Sequence, residues 1–505
     1  MITAGHIKRA FRRSLLLAAL PLVALPAMNQ AQAQNDAPAQ APAAAQGAKA
    51  AEQQEAFAVI DAWLKAMAAF RQVPGLSAGV VSGDQLIWSA GYGHVDAAGR
   101  MPATPATPYP ICSISKLYTA IATMQQVEAG KLQLDAPLTD ALPWATFHEV
   151  DPASGPVTLR GLLTHGAGVP REPGFEYWAP PFTFPTQQQV QATFAGKGQT
   201  RLYGGFTHYQ YSNLGLTLAG EAVAASSGQS YADYVTQRIL QPLGLTHTTP
   251  FLPADAIGAG KAVGHGFPKR DGTRDEMLPF DAAGITPAAG FASTVEDMAK
   301  FAQWQFRLLR TGETNVLTSG TLRDMQRIQF ADPDSDLTRG LGYGVYRDGG
   351  KTYVGHSGEC PGFFSQILMH NPSETAVIVM MNAAEPSRPY VSGIFGILDK
   401  RRGFAFKGGT PMAMDLTPYK GLYSAQPWGS ERMVMPWAGG LAVLGLPSMN
   451  PREGLNFLKP VAPDQFRRIR DDGSEAELVQ FERGADGKVT RLVWHATPSQ
   501  RIGDL

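Results

Sequence analysis

Strand-like segments occur at both ends of residues 54–400, and helix-like segments lie between them. Near the start, the apolar runs 76–81 and 86–92 are joined by a Ser-Gly-Asp turn, as expected of a β-hairpin. Four short apolar runs return late, at 344–348, 352–356, 363–370 and 376–382. The stretch between them carries apolar residues at helical spacing. This arrangement predicts an α+β fold with one antiparallel sheet.

The N-terminal residues have the pattern of an export signal. Four basic residues precede a short apolar stretch at 14–28: Lys8, Arg9, Arg12 and Arg13. The small-residue pattern Ala31-Gln32-Ala33 follows, so we predict cleavage after Ala33 and a periplasmic or secreted mature protein. The alternative is a membrane anchor, but two prolines interrupt the stretch and it is shorter than the ~20 residues that span a bilayer.

Shifts in composition predict the remaining divisions. A segment rich in Ala, Gln and Pro, 34–53, is expected to be a disordered linker. The main domain is predicted at 54–400, a second linker at 401–415, and a small β domain at 416–505, where short strand patterns alternate with Gly and Asp turns.

Composition excludes several functional classes. The 505 residues contain 43 Lys+Arg and 43 Asp+Glu, so the chain lacks the basic excess of a nucleic-acid-binding protein. Two cysteines cannot form a cysteine-rich metal cluster, and the ten histidines show no H-E-x-x-H spacing. We therefore expect no metal, no cofactor and no stable membrane span, and a small molecule or peptide as the partner.

An S-x-x-K pattern, Ser113 to Lys116, marks the first candidate for chemistry. On a helix, positions i and i+3 share a face, so the lysine can reach the serine hydroxyl. A serine at a helix start also lies at the positive end of the helix dipole, which favours an anionic intermediate. Four-residue patterns arise by chance, so for this motif alone a polar helix face is the more common explanation.

Two further motifs follow in order: Y-x-N at Tyr211 and Asn213, and H-x-G at His356 and Gly358. The order S-x-x-K, Y-x-N, H-x-G is the motif set of the penicillin-recognising serine hydrolases. The chain resembles the class C β-lactamase, D,D-peptidase and esterase branch of that superfamily over about 55–400. The resemblance implies an antiparallel sheet flanked by helices, together with a helical subdomain.

The resemblance also implies a role for each motif residue. Ser113 is the expected nucleophile, and either Lys116 or Tyr211 is its general base, because a free hydroxyl is hardly ionised at neutral pH. Asn213 is expected to bond a substrate amide. The backbone N–H groups of Ser113 and Glu359 would form the oxyanion hole.

The H-x-G motif, with His356, Ser357 and Gly358, is expected to bind substrate. His356 stands where the lactamase pattern has lysine, which resembles the D,D-peptidase and D-aminopeptidase side of the family. We therefore expect an exported serine hydrolase that cleaves D-amino-acid peptides or small esters through an acyl-enzyme on Ser113. The alternatives are a true class C-like β-lactamase and a non-catalytic peptidoglycan- or peptide-binding relative.

The two cysteines flank the motifs. Cys112 precedes the expected nucleophile, and Cys360 lies two residues after Gly358. Some class A carbapenemases resemble this chain in carrying a bridged pair at the same offsets from their motifs. The resemblance implies a Cys112–Cys360 disulfide, which an exported compartment favours. Two buried, unpaired thiols are the alternative.

The C-terminal segment 416–505 resembles the lipocalin-like β-barrel often appended to these hydrolases. Its strand patterns include Tyr419 to Tyr423 and the run around Phe481. Such a barrel could shape the cleft, mediate dimerisation, bind a ligand or cap the main domain.

Overall fold

The computed structural model describes residues 43–96, 98–148, 152–196, 198–251, 262–407 and 409–505. The predicted signal peptide 1–33, its cleavage site and residues 34–42 of the predicted linker lie outside these residues. The rest of that predicted linker, 43–53, is helical in the structure, as the first part of the helix Ala43–Phe70. Within the described ranges, no helix has the length and apolar character needed to cross a membrane.

An antiparallel sheet forms the centre of the larger part of the chain. The strands are β1 (Gly75–Ser82), β2 (Gln85–Gly93), β3 (Tyr109–Pro110), β4 (Phe147–His148), β5 (Gln199–Thr200), β6 (Ala292–Ser293), β7 (Phe330–Ala331), β8 (Thr338–Arg339), β9 (Gly344–Asp348), β10 (Lys351–Cys360), β11 (Phe363–His370) and β12 (Thr375–Met381). Eight of them form one sheet in the order β2-β1-β12-β11-β10-β9-β8-β7. Because β1 pairs with β12, with Ala78 opposite Val379, the predicted strands from both ends meet in one sheet.

Helices cover both faces of this sheet. They are α1 (Ala43–Phe70), α2 (Ser115–Glu128), α3 (Leu138–Ala141), α4 (Leu159–Thr164), α5 (Gln187–Ala192), α6 (Asn213–Ser227), α7 (Tyr231–Val235), α8 (Thr286–Ala289), α9 (Val295–Thr311), α10 (Ser319–Gln326), α11 (Arg388–Arg401) and α12 (Pro451–Gly454). The α+β class predicted from the sequence is confirmed.

Strand β12 shows why the sheet needs both layers. All seven of its residues are buried. Because side chains alternate along a strand, Ile378 and Met380 pack in the core that contains α2, α6 and α9. Their neighbours Val377 and Val379 pack in a second core with α1 and α11. The continuous apolar run in the sequence therefore reflects burial on two faces.

The C-terminal strands form a closed barrel. They are β13 (Gly421–Ser424), β14 (Glu431–Trp437), β15 (Gly440–Leu446), β16 (Asn456–Ala462), β17 (Gln465–Ile469), β18 (Glu475–Arg483), β19 (Val489–Trp494) and β20 (Thr497–Gly503). Each strand pairs with the next, and β20 pairs with β13. Buried aromatic side chains including Tyr419, Phe466 and Phe481 form a core of their own within it. The predicted β-barrel is confirmed, and its core is filled by side chains.

The outer wall of the barrel packs against the second core. Trp437 on β14 and Leu444 on β15 belong to the same buried cluster as Trp63 on α1 and Ile394 on α11. The indole N–H of Trp63 donates to the carbonyl oxygen of Ser448 at 2.9 Å. The barrel therefore extends the core on the side of the sheet that carries α1 and α11, away from α2.

Candidate active site

Ser113 lies in a tight turn immediately before α2. The sequence predicts a helix starting at this serine, whereas the structure has a 3-10 turn over Cys112–Ile114 and begins α2 at Ser115. Cys112 has φ +49°, a left-handed conformation that is uncommon for a residue other than glycine. The helix start therefore lies two residues later than expected, while Ser113 and Lys116 keep their i, i+3 relation.

The structure brings the three predicted catalytic side chains together. The Nζ atom of Lys116 lies 3.0 Å from Oγ of Ser113. The hydroxyl of Tyr211 donates to the same Oγ at 2.7 Å. Both groups are within the distance at which a base can take the serine proton.

Lys116 is fully buried. Its Nζ has two further acceptors, Oδ1 of Asn213 and the carbonyl oxygen of Ala288, each at 2.8 Å. Burial lowers the pKa of Lys116 well below that of a free lysine. The negative charge of Glu172 opposes this lowering of the pKa, and the guanidinium of Arg171 adds to it. A neutral amine is thus accessible near the serine.

Tyr211 is held in its protonated form. Burial raises the pKa of Tyr211 above its usual value, and the bond to Ser113 opposes that rise. The ring of His165 lies 4.4 Å from the Tyr211 ring, centroid to centroid. The Nδ1 atom of His165 accepts the backbone N–H of Ser212 at 3.1 Å, which fixes the position of the Y-x-N motif.

Strand β10 carries the H-x-G motif beside the serine. It pairs with β9 only up to Gly355, whereas its pairing with β11 continues to Cys360. A Cβ atom on Gly358 would lie 2.1 Å from the carbonyl oxygen of Ile111, so only glycine fits this approach to the nucleophile turn. Ser357 and Glu359 on either side line the same cavity as Ser113.

His356 is buried and neutral. Burial lowers the pKa of His356 to about 3, and the positive charges of Lys116 and Arg339 add to the lowering. Its Nδ1 lies 2.6 Å from the carbonyl oxygen of Ser357, so the ring N–H donates there. The sequence indicates a weak, pH-dependent cation at this position, and the structure places it in surroundings that disfavour the charge.

The structure contains the Cys112–Cys360 disulfide, whose two cysteines have a sequence separation of 248. It joins the turn before Ser113 to the end of β10. The resemblance-based expectation of a bridge is therefore confirmed, and the described residues contain no free cysteine. The bridge links the two backbone segments expected to supply the oxyanion hole.

Removing this bridge should lower stability without removing the catalytic side chains. We expect the double variant C112S/C360S to lose about 2–4 kcal/mol in free energy of unfolding. Without the bridge, the unfolded chain regains the conformational entropy that the closed loop had restricted. Urea denaturation followed by circular dichroism measures this loss. An unchanged urea midpoint would contradict the stabilising role, and S335A is a matched surface control.

A cavity of about 210 Å³ opens beside Ser113. Besides the motif residues, its walls include two arginines and two tyrosines: Arg171, Arg339, Tyr209 and Tyr346. The Nη2 atom of Arg339 donates to the Tyr209 hydroxyl at 2.6 Å. Within the described part of the chain, no group of His, Cys, Asp and Glu is arranged to hold a metal ion.

Comparison with protein families matches residues 60–399 to the Beta-lactamase family. The chain belongs to the Beta-lactamase family. The matched range contains the sheet, most of the helical layers and all three motifs, and it ends before the barrel. It confirms the resemblance to penicillin-recognising serine hydrolases that the motifs suggest.

Two curated relatives of the Beta-lactamase domain are distant in sequence. Penicillin-binding protein 4 of Amycolatopsis lactamdurans is 26% identical over 388 residues, which cover 72% of this chain and 97% of that protein. Protein flp of Staphylococcus aureus (strain NCTC 8325 / PS 47) is 23% identical over 317 residues, 61% of this chain. That match spans only 60% of protein flp.

Two solved structures share the fold. The octameric penicillin-binding protein homologue from Pyrococcus abyssi has a TM-score of 0.58 at 23% identity, covering 88% of this chain and 99% of that one. The D-stereospecific amidohydrolase from Streptomyces sp. has a TM-score of 0.56 at 23% identity, covering 67% and 98%. Both structures therefore share the fold of this chain, although their sequences have diverged widely from it.

Several residues of this Beta-lactamase site escaped the sequence analysis. Glu172 bonds Nδ2 of Asn213 at 2.7 Å, although it belongs to no motif. Arg171 lies next to it, and Arg339 comes from the two-residue strand β8. The one available signal was the pair of charges between two prolines in Pro170-Arg171-Glu172-Pro173, in a loop otherwise rich in apolar residues.

Proposed function

We propose that this protein is an exported serine hydrolase that cleaves amide or ester bonds through an acyl-enzyme on Ser113. The observation that carries the proposal is the position of the Ser113 hydroxyl, within hydrogen-bonding distance of both Lys116 Nζ and the Tyr211 hydroxyl beside an open cavity. Export rests on the signal pattern of residues 1–33 and accords with the disulfide.

In the proposed acylation step, neutral Lys116 is the base. Oγ of Ser113 attacks the substrate carbonyl carbon, and its proton passes to Nζ of Lys116. The developing oxyanion accepts hydrogen bonds from the backbone N–H groups of Ser113 and Glu359. The Tyr211 hydroxyl gives its proton to the departing amine or alcohol and regains one from Lys116. Water then hydrolyses the ester by the reverse sequence of proton transfers.

The raised pKa of Tyr211 supports this division of roles. A phenol that holds its proton is a poor base and a good donor, whereas burial has the opposite effect on a lysine. Because Lys116 and Tyr211 both bond Ser113, their titrations belong to the pair.

The proposed substrates are D-amino-acid peptides or small esters. Two guanidinium groups, Arg171 and Arg339, line the cavity, while His356 carries no charge there. This favours substrates with an anionic group near the scissile bond. The similarity to a penicillin-binding protein and to a D-stereospecific amidohydrolase agrees with this substrate class.

Incubation with benzylpenicillin tests the acyl-enzyme. We expect intact-mass spectrometry to detect a covalent adduct on the wild-type protein, and expect the S113A variant to form none. A matched control, S335A at an exposed serine, should form the adduct normally. Consumption of penicillin without a trapped adduct would favour the β-lactamase alternative. An adduct that persists in S113A would overturn the assignment of the nucleophile.

Binding of an anionic substrate group by Arg339 can be tested separately. We expect R339Q to raise KM by about 10-fold or more for a substrate with a free carboxylate, because charge-assisted hydrogen bonds contribute about 1.5–3 kcal/mol. KM for the neutral amide of the same substrate should change little. R347Q, at an exposed arginine on β9, is the matched control. Equal losses for both substrates would contradict an anion-binding role.

A further inference from the structure

Glu172 is surrounded by hydrogen-bond donors. Its Oε1 atom accepts from the Trp178 indole N–H at 2.9 Å and from Nδ2 of Asn213 at 2.7 Å. Its Oε2 atom accepts from the Tyr177 hydroxyl, and Nε of Arg171 lies 3.2 Å from Oε1. The indole N–H and the guanidinium can only donate. Oε1 of Glu172, which both of them contact, must therefore be an acceptor.

This arrangement determines which way the Asn213 amide faces. An amide has one accepting and one donating end, and the carboxylate of Glu172 requires the donating end. Oδ1 of Asn213 must consequently face Nζ of Lys116, at 2.8 Å. The amide of Asn213 is fully buried, and its oxygen contacts Lys116 while its nitrogen contacts Glu172.

The orientation of Asn213 in turn orients Lys116. A neutral amine has two N–H bonds and one lone pair. The two acceptors at 2.8 Å, Oδ1 of Asn213 and the carbonyl oxygen of Ala288, take both N–H bonds. The lone pair is then left for the third neighbour, Oγ of Ser113 at 3.0 Å.

We propose that Glu172 is a positioning residue: by fixing the orientation of the Asn213 amide, it directs the lone pair of Lys116 at Ser113. The inference rests on the proposed function for its catalytic meaning, since it explains how the proposed base is oriented. It also predicts a property of Lys116 that is measurable without substrate.

The property is the pKa of Lys116, which the charge of Glu172 affects. The groups that face Lys116 come from the turn before α2, the loop between α4 and α5, the segment before α6, α6 itself, β8 and β10: Ser113, His165, Arg171, Glu172, Tyr211, Asn213, Arg339 and His356. The Glu172 carboxylate raises the Lys116 pKa, against the lowering by burial, Arg171 and Arg339. Neutralising Glu172 should therefore lower the Lys116 pKa further.

Two variants separate the charge from the orientation. E172Q removes the charge but keeps an oxygen that can accept from Asn213. E172L removes both the charge and the acceptor. E176Q, which makes the same substitution at an exposed glutamate on the same loop, is the matched control. The lysine side chains are labelled with 13C at Cε, the Lys116 signal is assigned by its loss in K116R, and its titration midpoint is measured.

We expect the Lys116 midpoint to fall in both E172Q and E172L and to stay at the wild-type value in E176Q. We expect kcat to fall on the order of 10- to 100-fold in E172L, because the lone pair of Lys116 is no longer directed at Ser113. The fall in kcat should be much smaller in E172Q. The acid limb of the pH–rate profile should move to lower pH in E172Q.

Either of two results would overturn the inference: a Lys116 midpoint unchanged in E172Q, or kcat in folded E172L equal to that of E172Q. Failure of the proposed function is recognised separately. In that case Ser113 forms no adduct and no substrate is turned over, while the Lys116 midpoint still decides whether Glu172 acts on the lysine.

Discussion

Replacing Lys116 by methionine is expected to lower kcat on the order of 1,000-fold, within the range that a positioned acid–base group supplies. Methionine matches lysine in length and removes the only amine within hydrogen-bonding distance of the Ser113 hydroxyl among the described residues. Tyr211 is the weaker base, because burial raises the pKa of its hydroxyl. Steady-state hydrolysis of an activated ester measures the loss.

The pH profile tests the same assignment. A protonated amine cannot accept the serine proton, so kcat/KM of the wild-type protein should fall as the pH drops below the Lys116 pKa. Because burial lowers that pKa well below that of a free lysine, this limb should lie well below pH 10. The limb should be absent from the residual activity of K116M.

The matched control is K131M, at an exposed lysine beyond the end of α2. It should retain wild-type kcat and the wild-type pH profile. Near-ultraviolet circular dichroism confirms that K116M is folded. If folded K116M keeps kcat within tenfold of wild type, Lys116 is not the base, and Tyr211 becomes the candidate despite its raised pKa.

The sequence contained enough to predict the central contacts of the site. Ser113 and Lys116 are three residues apart, so any helical turn places them on one face. The α+β class followed from strand patterns at both ends, and the pairing of β1 with β12 joins those ends in one sheet. The Cys112–Cys360 bridge followed from the resemblance to carbapenemases that carry a bridged pair at the same offsets from their motifs.

Other features depend on packing that no local pattern encodes. The neutral state of His356 arises from burial and from nearby positive charge contributed by other elements. The sequence analysis expects Asn213 to bond a substrate amide, a role that stays a prediction. In the structure both ends of that amide bond protein groups, Lys116 and Glu172. Glu172 belongs to no motif, and its contact with Asn213 joins positions 41 residues apart in sequence, so its link to the site emerges only from the fold.

The second large effect concerns a buried ion pair far from the motifs. Glu385, which follows β12, has 1% of its side chain exposed, and its partner Arg274 has 3%. Their oxygen and nitrogen atoms lie 3.1 Å apart, and Arg71 after α1 contacts the same carboxylate at 2.7 Å. Arg274 also donates to the backbone carbonyls of Gly266 and Ala384. Three segments therefore meet at one carboxylate.

We expect E385A to lose about 3–5 kcal/mol in free energy of unfolding, because it leaves the Arg274 guanidinium buried without a counter-charge. Urea denaturation measures the loss. The matched control is D275A, which breaks the exposed pair of Lys269 and Asp275 on the same segment and should cost less than about 1 kcal/mol. Equal urea midpoints for E385A and D275A would contradict the argument.

A double variant separates the loss of attraction from the cost of an unpaired charge. If the loss in E385A comes from the buried guanidinium, replacing both partners with apolar residues in R274M/E385L should recover a large part of it, since no charge then needs solvation. If the double variant is as unstable as E385A, the carboxylate contributes mainly through its bond to Arg71. The ion pair would then be important for anchoring the end of α1 to the sheet.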